Sequence, residues 1–83
     1  MRANRAYRLI HTKGSRAPAF LAGPERMDQV EVVSVDDGEI VLFWDVSGAE
    51  AGSFVRALRA DLSQLDAGDF IQRWSQVEGP GRL

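Results

Sequence analysis

The chain has 83 residues, of which 45% are apolar and 27% charged, and its net charge is −2. This length suffices for one small hydrophobic core, so we expect one globular domain over residues 1–83. The absence of cysteine excludes a disulfide framework and a thiolate nucleophile and fits a reducing compartment. No apolar run approaches the ~20 residues of a membrane span, so we expect a cytoplasmic protein without membrane contact.

Residues 1–16 form a basic N-terminal strand or arm, in which residues 5–12 predict the first strand. The arm carries five cations and no acidic residue: Arg2, Arg5, Arg8, Lys13 and Arg16. These are candidate phosphate contacts of a nucleic-acid-associated protein. The acidic pI near 5.2 and the single aromatic residue among them, Tyr7, argue against base recognition. We favour the alternative that the basic strand balances an acidic hairpin beside it.

The next residues, from Gly14 to Asp28, contain two prolines and predict mostly loop, with a possible short fourth edge strand at Phe20 and Leu21. The acid-free first 24 residues also have the composition of an organellar transit peptide, which we disfavour against the single-domain interpretation.

Residues 29–46 predict a β-hairpin around Asp37-Gly38, which suits a two-residue type I′ turn. This turn pairs Val33 with Leu42 and Glu31 with Trp44, whereas a three-residue loop would shift the register. Both faces of the hairpin are then apolar. One face carries Val33, Val35, Ile40, Leu42 and Trp44, and the other carries Val30, Val32, Val41 and Phe43.

Residues 48–77 predict a helical segment that begins after Ser47, because Ser47 to Glu50 matches the S-x-x-E capping box. Apolar residues repeat within it at three-to-four-residue spacing and form one stripe: Phe54, Val55, Leu58, Leu62 and Leu65. A break is expected near Asp66 to Gly68, followed by a second helix to about Val77 and a tail over 78–83. We expect four aromatic residues to anchor the core: Trp44, Phe54, Phe70 and Trp74. The predicted fold is α+β, a three-stranded or four-stranded antiparallel sheet packed against a C-terminal helical pair in the order β-β-β-α-α.

No residue pattern indicates a catalytic, cofactor or metal site. His11 is the single histidine and lacks a recognisable nucleophile motif, although a small enzyme or ligand carrier with His11 near a cleft stays an alternative. The acidic residues around the hairpin tip are turn formers without calcium-loop spacing.

The second apolar face of the hairpin carries the functional hypothesis. If both helices pack on one side of the sheet, the residues Val30, Val32, Val41 and Phe43 form an exposed interface. We therefore predict a non-enzymatic interaction module, a homodimer or a partner of another protein. Internal coverage of this face, or a small apolar ligand, stays open.

Overall fold

The structure is a computed structural model and describes residues 1–14 and 27–78. Its elements in chain order are α1 (Ala3–Ala6), β1 (Tyr7–Thr12), β2 (Met27–Ser34), β3 (Ile40–Ser47), α2 (Gly48–Gln64) and α3 (Ala67–Trp74). Apart from the single-turn helix α1, which the sequence did not predict, this confirms the α+β class and the β-β-β-α-α order. The predicted edge strand at Phe20 and Leu21 falls outside the described residues.

The three strands form an antiparallel sheet in the order β1-β2-β3. The loop between β2 and β3 is longer than predicted: the Gly38 N–H donates to the Ser34 carbonyl at 2.8 Å, and the Ser34 N–H donates to the Glu39 carbonyl at 2.8 Å. Within this loop Gly38 alone has a positive φ, +72°, whereas a type I′ turn needs positive φ at Asp37 as well. The Asp37 carboxylate instead accepts from the Glu39 N–H at 3.0 Å, as in an Asx turn. The predicted two-residue turn is therefore wrong.

The longer loop changes the strand register. Val32 pairs with Leu42 and Val30 with Trp44, whereas the sequence predicted Val33 opposite Leu42. Because side chains alternate between faces, this shift turns β2 over relative to β3. Val30 and Val32 consequently lie fully buried beneath the helices.

Helices α1, α2 and α3 pack on one face of the sheet. Helix α2 begins at Gly48, as predicted, but the Ser47 hydroxyl donates to the Glu50 carboxylate at 3.0 Å instead of capping a backbone N–H. Its buried residues follow the predicted apolar stripe: Ala51, Phe54, Val55, Leu58 and Leu62. The helix stops at Gln64, and α3 ends at Trp74, three residues before the predicted end at Val77.

The N-terminal residues join the break between the two helices. The Ala3 N–H donates to the Leu65 carbonyl at 2.8 Å, and the Ala67 N–H donates to the Met1 carbonyl at 2.8 Å. These bonds satisfy backbone groups that the helix ends leave without intrahelical partners. Ala3 is fully buried there, so the first residues belong to the folded domain.

The aromatic core is confirmed, because Trp44, Phe54, Phe70 and Trp74 are all buried. Trp44, Phe54 and Trp74 form a triangle of edge-to-face contacts with ring centroids 5.2 to 6.0 Å apart. Each indole N–H also has an acceptor, Trp44 at the Val77 carbonyl and Trp74 at the Asp61 carboxylate. The two tryptophans therefore fix the sheet, α2, α3 and the residues after α3 to one another.

Candidate functional site

The face of the sheet opposite the helices, called the outer face, is covered by no layer within the described residues. Helix α2 contacts all three strands on the inner face, where Val30, Val32, Trp44 and Val46 are buried. The outer face carries an apolar cluster whose side chains are half-buried or exposed: Ile10, Val33, Ile40, Val41 and Phe43. Phe43, the largest of these side chains, is 46% exposed. Contiguous exposed apolar residues of this kind mark interaction surfaces.

The structure corrects half of the predicted interface. Val41 and Phe43 lie on the outer face, as predicted, but Val30 and Val32 are core residues because of the register shift. In their place the structure brings Ile10, Val33 and Ile40 to the outer face. Ile10 could have been found from the sequence, since Tyr7 and Leu9 alternate with it in β1 and point inward.

A β-bulge brings two successive side chains to the outer face at the start of β3. Val32 pairs with Leu42 and the next residue, Val33, pairs with Ile40, so Val41 is an extra residue in β3. In such a bulge two residues stand opposite one, and strict alternation is lost locally. Ile40 and Val41 are accordingly both exposed, beside the half-buried Val33.

A second cluster on the inner side joins His11 to a buried carboxylate. Asp28 has no exposed surface, its Oδ2 lies 2.8 Å from His11 Nε2, and its Oδ1 accepts from the Gly14 N–H at 2.8 Å. An ionised carboxylate can only accept hydrogen bonds, so Nε2 then carries the hydrogen. The cluster ties the end of β1 and Gly14 to the start of β2.

Histidine held by a buried aspartate is also the orienting part of a general-base site. A nucleophile is needed as well, and among the described residues no hydroxyl forms a hydrogen bond with His11. The bonds that are present cross-link two neighbouring strands and hold the backbone at Gly14. Their geometry therefore supports a structural role for the pair.

The arginines of the predicted phosphate site lie in different parts of the domain. The Arg2 guanidinium donates to the Gln64 carbonyl at 3.0 Å, at the C-terminal end of α2, where a cation is favoured by the helix dipole. Arg5 is exposed in α1, and Arg8 stands on the outer sheet face. Lys13 is exposed after β1, and Arg16 lies outside the described residues. Arg2 and Arg8 thus belong to opposite layers, and nucleic-acid binding stays a prediction.

In residues 1–14 and 27–78, no three His, Cys, Asp or Glu side chains come together as metal ligands would. None of the helices in this part of the chain is long and apolar enough to cross a membrane. Comparison of the chain with models of protein families, with curated proteins and with solved structures finds no match.

Proposed function

We propose that this protein is a small non-enzymatic interaction module, cytoplasmic, that forms a two-fold homodimer through its outer sheet face. The observation that supports this most is the outer-face apolar cluster, which lies opposite the helical layer. A second copy is the partner that brings an equally apolar surface of the same shape. Most oligomers of a single chain are two-fold dimers in which one patch contacts itself.

The size of the outer face sets the expected strength of association. Three strands spaced about 4.8 Å apart, of which β2 and β3 have eight residues and β1 has six, give a face of at most roughly 14 by 26 Å. This is less than the ~800 Å² that each partner buries in a standard stable interface. We therefore expect a dimer that dissociates on dilution, with a dissociation constant on the order of micromolar.

The test is the molar mass in solution, measured by light scattering over a range of protein concentrations at low and high salt. We expect a dimer at high concentration that persists at high salt, because apolar contacts carry the association. The variant V41K/F43K should be monomeric. Position 43 lies directly opposite Glu31, so a lysine there has a cross-strand carboxylate and the monomer should stay folded.

The matched control is A57K/A60K, which adds the same two charges to exposed positions of α2 in the other layer. It should dimerise like the unmodified protein. A protein that remains monomeric at every concentration would refute the proposal. So would V41K/F43K dimerising as well as the control.

A further inference from the structure

The outer face carries charges in a pattern that a second copy can satisfy. Arg8 lies opposite Val33, and Ile10 lies opposite Glu31, across the β1–β2 pair. The two pairs are neighbours on the outer face, so their four side chains form a rectangle. Arg8 and Glu31 lie on one diagonal of it, and Ile10 and Val33 lie on the other. Glu31 also lies opposite Phe43 on β3, so its carboxylate stands between two apolar side chains of the outer-face cluster.

Burying Glu31 in an interface requires a cation. An ionised carboxylate removed from water without a partner is strongly unfavourable. Within the described residues neither Arg8 nor Glu31 forms an ion pair, so both are available to a partner. Arg8 is the sole arginine or lysine in β1, β2 and β3, so a second copy would offer Arg8.

Two-fold symmetry makes this contact reciprocal. If Arg8 of one protomer meets Glu31 of its partner, Glu31 of the first protomer meets Arg8 of the partner. An axis parallel to the sheet, along the diagonal from Ile10 to Val33, performs this exchange. About this axis, Ile10 and Val33 of one protomer face the same two residues of its partner. The strands of one sheet then cross those of the other steeply, close to the orthogonal class of sheet packing.

We infer that two reciprocal ion pairs between Arg8 of one protomer and Glu31 of its partner fix the arrangement of the dimer. This inference rests on the proposed function. The apolar cluster supplies the attraction, and the ion pairs select one orientation of the two faces, because other orientations leave Glu31 buried without a cation.

The test uses the charge reversals R8E and E31R, alone and mixed. Each variant alone would place like charges together at both contacts, and we expect its dimer to be at least about 100-fold weaker. In an equimolar mixture, the R8E chain carries a carboxylate at both positions and the E31R chain carries a guanidinium at both. Both contacts of a 1:1 heterodimer then join opposite charges, so this heterodimer should form with about the original affinity. An ion pair within one chain would not give this result, because neither variant chain carries opposite charges at the two positions.

The matched control is D45R, which makes the same charge change as E31R at an exposed outer-face position on β3. Asp45 lies outside the overlap that this axis defines, so D45R should dimerise normally. Circular dichroism should show that each variant is folded, and R8Q and E31Q are the milder substitutes if a reversal does not fold. Each of these should weaken the dimer, because each homodimer loses both ion pairs and leaves a charge unpaired at both contacts. Their 1:1 heterodimer keeps one ion pair and joins two glutamines at the other contact, so mixing them should restore part of the affinity.

The outcomes separate the two proposals. A monomeric unmodified protein would overturn both. If the unmodified protein is a dimer through the outer face but R8E or E31R dimerises equally well, the ion pairs are refuted while the proposed function stands. The same conclusion follows if the reversals weaken the dimer but their mixture does not restore it.

Discussion

Replacing Asp28 by alanine should destabilise the fold more than any exposed acidic substitution. Asp28 is fully buried, and its carboxylate forms two hydrogen bonds of 2.8 Å. Its Oδ2 bonds with His11 Nε2, and its Oδ1 accepts from the Gly14 N–H. Losing a hydrogen bond to a charged group costs about 1.5–3 kcal/mol. The substitution also removes the cost of burying a carboxylate, which offsets part of that loss. We therefore expect D28A to lower the free energy of unfolding by about 3 kcal/mol.

This loss is large for a domain of this size. A typical stability of about 0.05–0.15 kcal/mol per residue gives roughly 4–12 kcal/mol for this chain. A decrease of about 3 kcal/mol corresponds to a fall in Tm of roughly 12–24 °C. The variant D28N should lose only about 1 kcal/mol, since its carbonyl oxygen can still accept from Gly14 and neutral His11 can accept from its amide.

The assay is thermal and urea unfolding followed by circular dichroism. All variants should be compared at one protein concentration, because the proposed dimerisation would add to the apparent stability. The control is D36A, in the exposed hairpin loop, which should stay within about 0.5 kcal/mol of the unmodified protein. If D28A unfolds within that same margin, the His11–Asp28 pair does not hold the strands together and the reasoning is wrong.

Three further substitutions test the hairpin, α2 and the core by urea unfolding. G38A should lower the free energy of unfolding by about 1–2 kcal/mol, because Gly38 has φ +72° and a side chain is disfavoured there; an unchanged value would contradict the loop conformation. G52A should raise it by up to about 1 kcal/mol, since this helical position has open space for a methyl group; a decrease would show that the space is absent. F70A should lower it by about 3–5 kcal/mol, because Phe70 is fully buried, and a loss below about 1 kcal/mol would place Phe70 outside the core.

Local signals in the sequence were sufficient to predict the order of the strands and of the two long helices. The spacing of Phe54, Leu58 and Leu62 predicted α2, and Ser47 marked its start, because helix periodicity and caps depend on neighbouring residues. The break before α3 was predicted from Asp66 and Gly68 in the same way. Helix α1 was missed because a single turn has too few residues to show a period.

The strand register could not be predicted with the same reliability. The dipeptide Asp37-Gly38 suits a two-residue turn, but Gly38 can equally supply the one left-handed residue of a longer loop. The two loops differ in register, and a shift of one residue exchanges the faces of a strand. Val30 and Val32 were therefore assigned to the interface although they belong to the core.

The His11–Asp28 contact had no local signal at all. The two residues are 17 positions apart and meet only through the β1–β2 register, in which His11 pairs with Val30. Asp28 stands two residues from Val30 on the same inner face, a diagonal neighbour of His11. A buried aspartate is rare enough that composition alone predicts an exposed one.

The bulge in β3 favours association through the outer face over addition of a strand at the β3 edge. Strand β3 is at the edge of the sheet, and an exposed apolar edge strand can pair with another chain. A bulge twists such an edge and interrupts the regular row of backbone groups, which weakens edge pairing. The same bulge exposes both Ile40 and Val41 beside Val33. One irregularity thus disfavours pairing at the β3 edge and enlarges the apolar surface through which we propose that two copies meet.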